Sequence, residues 1–214
     1  MKSYSRFIKE VSRFNLDISD SGIGYGNPKK TEYNENTFDS LKYISLNGKD
    51  LEVYYKDTGT LRTITIWDED VRVAITETVM EKYKGTLLYF IDNADVYKEY
   101  IGNRIMSALY KGLILFENSI LVSGPTGYQS IGARKIWAEI SKTSNITALG
   151  VIKTNKKYDI LTLRSVKGEL KGRYNEDPYK FGHGSAILLI NNNNPIKNNI
   201  TEKDSGILDL IWSY

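Results

Sequence analysis

The sequence has no cysteine, a single histidine (His183) and only four prolines among its 214 residues. The first absence excludes disulfides, thiol catalysis and thiolate metal sites, and the second excludes a multi-histidine metal centre. No apolar run approaches the roughly 18 to 20 residues needed to span a bilayer. The opening residues lack the apolar core and small-residue cleavage site of a secretory signal, so the expectation is a soluble, non-secreted chain without a membrane partner. Charge of one sign is also scarce: 29 Lys+Arg against 26 Asp+Glu leaves +3, too little for a strong field toward nucleic acid. What is present is core material. With 41% hydrophobic and 12% aromatic residues, the chain can bury enough apolar surface to fold as one domain.

Residues 1–14 place Tyr4, Phe7, Ile8, Val11 and Phe14 at spacings of three and four, with Lys2, Arg6, Lys9 and Arg13 elsewhere on the wheel. This predicts a short basic amphipathic helix, either docked on the body or detachable as a leader. Lys2, Arg6 and Lys9 against Glu10 hold most of the positive excess. Residues 15–40 are rich in Asp, Ser, Gly and Asn without an apolar period, as in a linker. Residues 41–190 then form the expected domain. Leu51, Val53 and Tyr55, then Ile64 and Ile66, then Val71, Val73 and Ile75 alternate as in antiparallel strands, separated by Asn47-Gly48, Thr58-Gly59 and Asp68-Glu69-Asp70. The unbroken run Leu87 to Ile91 predicts a central strand covered on both faces.

Helical period follows at Ile101, Ile105, Ala108, Leu109, Gly112, Leu113 and Phe116. A short strand over 119–123 and a Gly/Pro loop lead to a second helix with the stripe Ala133, Ile136, Trp137 and Ile140. Strand-like runs at 146–152, 158–163 and 186–190 complete an α+β (mixed α/β) domain with helices on the faces of a mostly antiparallel sheet. Residues 191–214 read as an Asn-rich flexible connector and a docked apolar end, an edge element or short helix carrying Leu208, Ile211 and Trp212.

Several chemistries are excluded or left open by the motifs. Gly127 and Gly132 have P-loop spacing, but Ala133 and Arg134 stand where Lys and Ser/Thr are needed, so nucleotide hydrolysis has no support. No G-x-S-x-G elbow exists for a serine hydrolase. His183, between glycines, is either an accessible base or a surface turn. Glu77 and Glu81 are either solvated strand carboxylates or candidate general bases. Lys153, Lys156, Lys157, Arg164, Lys167, Lys171 and Arg173, interspersed with Tyr158 and Tyr174, make a stripe for phosphates or a protected sheet edge.

Two resemblances add to this. The opening M-K-S-Y-S-R-F-I-K-E resembles the capsid-targeting sequence of internal head proteins in T-even-type tailed phages. It implies a prohead core and prohead protease as partners, cleavage after Glu10 at the site formed by Ile8, Lys9 and Glu10, and residence in the virion interior, then the host cytoplasm. Val11 departs from the small residue usual after the cut. The element order over Leu51 to Leu163 resembles the acyl-CoA N-acyltransferase (GNAT-like) fold, most closely the divergent domains of tailed-phage genomes. Its carriers are V-Y-K-E-Y-I-G-N-R-I at 96–105 and I-L-V-S-G-P-T-G-Y-Q-S-I-G-A-R-K-I-W at 120–137.

That resemblance implies acetyl-CoA or another acyl-CoA as ligand, held by a pyrophosphate loop at Lys98, Gly102, Asn103 and Arg104. Glu99 and Arg104 depart from the family's (Arg/Gln)-x-x-Gly-x-(Gly/Ala) pattern. It further implies Glu77 or Glu81 as base and Tyr128 as acid, because Trp137 occupies the position of the family's tyrosine. The expected function is a virion-borne protein with a degenerate acetyltransferase-like fold acting on a host or defence protein. An active N-acyltransferase and a non-catalytic binding protein are the alternatives.

Overall fold

The computed structural model describes residues 41–154, 158–173, 176–200 and 205–213. The expected leader, its processing site at Ile8, Glu10 and Val11, and the linker lie outside the described residues, as do Lys156, Lys157, Tyr174 and the side chains of Tyr128 and His183.

Five strands come first: β1 (Tyr43–Leu46), β2 (Lys49–Thr58), β3 (Leu61–Asp68), β4 (Val71–Tyr83) and β5 (Thr86–Val96), each antiparallel to the next. Two-residue turns join them. At Asn47-Gly48 both residues have positive φ, 54° and 79°, which matches the right-handed twist of the flanking strands and suits Asn-Gly. Helix α1 (Ile105–Leu115) then leads to β6 (Ile120–Ser123), which lies parallel to β5. Helix α2 (Ile131–Ile140) follows, then β7 (Ile146–Lys153), β8 (Tyr158–Val166), β9 (Glu169–Lys171), β10 (Ser185–Asn191) and α3 (Ser205–Ser213).

Among the described residues the strands form one sheet in the order β1-β2-β3-β4-β5-β6-β10-β7-β8-β9, with β5 and β6 its one parallel pair. The α+β expectation therefore holds. Helices α1 and α2 cover one face, where Leu109, Leu113, Trp137 and Ile140 pack with Tyr89, Leu121 and Ile187. Helix α3 covers the other, where Ile207 and Leu208 pack with Leu88, Ile120, Val122 and Leu188. Strand β5 alternates between the two cores, Tyr89 to one and Leu88 and Phe90 to the other, which accounts for its unbroken apolar run.

Three expectations need correction. Helix α1 starts at Ile105, not Ile101, because Gly102 (φ 92°) and Arg104 (φ 59°) are left-handed and break the helical path. Ile101 and Phe116, counted in its apolar stripe, are 68% and 63% exposed. The Asn-rich segment is a bonded turn rather than a flexible connector. Asn191 Oδ1 accepts from Asn193 N at 2.9 Å, Asn194 Oδ1 accepts from Ile196 N at 3.1 Å, and Asn194 Nδ2 donates to Asn118 O at 2.8 Å. Asparagine side chains mimic backbone groups, so a run of them can tie a turn that its polarity alone suggests is loose. Among the described residues no helix is long and apolar enough to cross a membrane, and no group of His, Asp and Glu is placed to hold a metal.

Candidate functional site

The parallel pair is short. Strand β5 is bonded to β6 only over Leu88–Ile91 opposite Ile120–Ser123, after which β6 ends and the chain turns away through Gly124-Pro125. Strand β5 runs on to Val96, paired with β4 alone among the described strands. The departure coincides with a register shift: Thr78 faces Ile91 and Glu77 faces Asn93, leaving Asp92 as the extra residue of a β-bulge. A bulge bends its strand and increases the local twist, which carries β5 away from β6. From Asp92 onward, one edge of β5 has no ladder among the described strands.

The space opened this way is a cleft of about 490 Å³. Its walls are residues 92–94 and Val96 of β5, the Ser123–Pro125 turn, Met106 and Tyr110 of α1, and Gln129, Ser130, Ile136 and Trp137 at and within α2. Both helices begin at the cleft: Met106 is the second residue of α1, and Gly132 the second of α2. First-turn N–H groups lack intrahelical partners, and the helix dipole adds partial positive charge there. At α2, Ser130 Oγ accepts from Ala133 N at 3.1 Å, whereas Arg104 gives α1 no side-chain cap.

Asp92 stands at the bend of the cleft wall, and burial, then the neighbouring charge of Glu77, push its carboxyl up to about 6. Gln129 Oε1 is a buried acceptor without a hydrogen-bond partner among the described residues. The Tyr110 and Trp137 rings lie 6.4 Å apart, and burial raises the Tyr110 phenol well above its usual range.

The β5–α1 connection is anchored from below. Asp68, at the end of β3, binds Lys49 Nζ at 2.6 Å and accepts from the Tyr100 hydroxyl at 2.8 Å. The hydrogen bonds from Lys49 and Tyr100 hold its carboxyl below the usual range. A depressed folded pKa gives stability that is present above the unfolded value and lost as pH falls through the folded one. Asp68→Asn should therefore lower the urea midpoint at neutral pH, and the difference from wild type should vanish in strong acid. An undiminished difference there would mean that the carboxylate charge is not what holds Tyr100.

Of the residues singled out in the sequence, Glu77 comes beside the bulge, opposite Asn93. Glu81 is opposite Leu88, four residues and about 13 Å further along the strand, and is not brought to the cleft. Lys98, Gly102, Asn103 and Arg104 form the exposed β5–α1 connection, and none of them lines the cleft. Arg104 Nη1 is instead 3.8 Å from Glu139 Oε1 on α2. Tyr128 ends the 3₁₀ turn just ahead of Gln129. Trp137 is buried in the cleft wall, and His183 belongs to the irregular segment Pro178–Gly184. Within the basic stretch, Lys171 is engaged by Glu169 at 2.9 Å and Asp177 at 2.8 Å, and Lys153 lies over the Trp212 ring. Asp92, Tyr110 and Gln129 were not singled out. The one sequence signal for Asp92 is its position, the first charge after an apolar central strand.

No protein-family model and no curated protein matches the chain. Among solved structures it is similar to a protein of Bacteroides thetaiotaomicron assigned as an acetyltransferase of the GNAT family. That similarity has a TM-score of 0.36 and 9% identity, over 91% of this chain and 86% of the other. A likeness at that level says nothing of activity.

Proposed function

We propose that the cleft binds an acyl-CoA and that the protein transfers its acyl group to an amine. The observation that carries this reading is the bulged end of β5, which leaves its parallel partner between two helix N-termini. An unpaired strand edge can bond an extended chain bearing amides, as an added strand would. The pantetheine arm is such a chain, and Gln129 Oε1 is a buried acceptor awaiting an N–H. Helix N-termini suit the phosphates at its other end. The resemblance of residues 96–137 to the acyl-CoA N-acyltransferases points the same way.

In this reading Asp92 is the general base. As the N–C bond forms and the thioester C–S bond breaks, the amine proton passes to its carboxylate and the thiolate leaves to be protonated by water. The expected result in calorimetry with acetyl-CoA is saturable binding, followed by amine-dependent release of free thiol. No heat at millimolar acetyl-CoA would overturn the proposal.

A second reading has a specific observation in its favour: none of the four loop residues expected to hold the pyrophosphate lines the cleft. A non-catalytic binding protein, packaged through residues 1–10 and acting after DNA entry, would retain the scaffold without turnover. Acetyl-CoA binding without thiol release from any amine would favour it. Intact mass from purified particles tests the packaging, with a chain beginning at Val11 as the expected product.

A further inference from the structure

Tyr110 lines the cleft, and its hydroxyl lies 3.2 Å from Thr76 Oγ1 in the sheet. Thr76 Oγ1 is in turn 2.8 Å from the carbonyl oxygen of Asn93. A carbonyl only accepts, so the single threonine proton is committed to Asn93, and Tyr110 must be the donor between the two hydroxyls. The direction of the chain follows: Tyr110 O–H to Thr76, and Thr76 O–H to Asn93 C=O. Its side chains are shut away from solvent, Tyr110 at 2% and Thr76 at 1% exposure, so water cannot replace a lost partner. Asn93 is the first residue past the bulged Asp92, where β5 has already left β6.

We propose that Tyr110 is a positioning residue that sets the width of the cleft: through Thr76 it ties helix α1 to the diverging end of β5. The strut joins the wall carrying the helix N-terminus to the wall carrying the unpaired strand edge. Both must be held at one separation for a single extended ligand to meet them together. The strut also directs the Tyr110 proton into the sheet, so this phenol is not the acid for a leaving thiolate. Its effect on ligand binding rests on the acyl-CoA reading; its effect on β5 does not.

Four variants of the full chain test it: Tyr110→Phe, Thr76→Val, the double variant of these two, and Thr76→Ser, which retains the hydroxyl. Amide hydrogen exchange is read along β5, and acetyl-CoA affinity by calorimetry. Tyr110→Phe and Thr76→Val should each speed exchange over residues 92–96 by about tenfold relative to 86–91, and weaken acetyl-CoA by a similar factor. Thr76→Ser should stay near wild type, and the double variant Tyr110→Phe/Thr76→Val should be no worse than Thr76→Val alone, because both cut the same chain. Uniform exchange along β5, a Thr76→Ser variant as impaired as Thr76→Val, or additive single effects would each overturn the strut. Should wild type fail to bind acetyl-CoA, the acyl-CoA reading falls, and hydrogen exchange alone decides the strut.

Discussion

Asp92→Asn should reduce acyl transfer by about 10²–10⁴-fold while leaving acetyl-CoA affinity nearly unchanged, the signature of a lost proton acceptor rather than a lost binding contact. The residue sits at the bulge in the cleft wall, where its carboxyl is raised to about 6 by burial and by Glu77. A base works only when deprotonated, so wild-type turnover should fall as pH drops below about 6. Glu77→Gln removes the neighbouring negative charge and should move this acid limb to lower pH.

Stability should respond in the opposite sense. The folded carboxyl lies above its ordinary value of 3.8, so the native state keeps its proton to higher pH than the unfolded chain does. Native stability is then lost as pH rises from about 4 to about 6, and the neutral amide escapes that loss at pH 7. Asp92→Asn should therefore melt no lower than wild type, and above it at neutral pH, although it turns over far more slowly. Equal turnover in wild type and variant across the pH range would remove Asp92 from the mechanism.

The largest expected effect on folding is at the other face of the sheet. Leu208→Ala should cost about 2–5 kcal/mol, read from urea unfolding. Leu208 on α3 is fully buried, as is Ile207, and both pack against Leu88, Val122 and Leu188 in the second core. With no cysteine in the chain, no disulfide holds α3 in place. Among the described residues its polar contacts with the rest of the fold are the exposed bond from the Tyr158 hydroxyl to Asp209 at 2.9 Å and Lys153 over the Trp212 ring, each worth little when water competes for it. Apolar burial must therefore carry the attachment. Leu61→Ala, at a 36% exposed site, serves as the control and should change stability by less than about 0.5 kcal/mol. A loss at Leu208 no larger than at Leu61 would show that α3 does not close the core. Packing across β5 makes the two sites interdependent, since the strand that bends at Asp92 is held from below by the residues α3 covers.

Much of the architecture was legible because its signals are local. Alternation at Leu51, Val53, Ile64 and Ile66 reports a strand with one buried face, and the same side chains line the first core. The run Leu87–Ile91 reports a strand buried on both faces, and β5 lies between α1 and α2 on one side and α3 on the other. The start of α1 is not legible in the sequence, because an apolar residue at the right spacing, Ile101, does not reveal that Gly102 and Arg104 take left-handed conformations. The order of the Asn-rich segment is hidden in the sequence, because composition records its polarity and not the backbone groups that its amides satisfy.

The candidate site was only partly legible for a different reason. Glu77 could be singled out as a carboxylate on a strand, but its role depends on Asp92, which it meets only through the β4–β5 register. Tyr110 falls outside the apolar stripe of its helix, Ile105, Ala108, Leu109, Gly112 and Leu113, and the direction of its hydroxyl emerges only when Thr76 and Asn93 are brought beside it.

By itself, then, the sequence determined a cysteine-free α+β domain, most of its strand and helix succession apart from β9 and the helical form of α3, and the strand-to-helix segments around residues 96–105 and 120–137. Periodicity and turn chemistry act within a few residues and survive in the linear chain. Tertiary structure alone decided that β10 lies between β6 and β7, that β6 ends at Ser123 while β5 continues, and that the extra residue of the bulge is Asp92. Those outcomes are set by pairings between strands distant in sequence, where the whole sheet's packing, not local preference, selects the register.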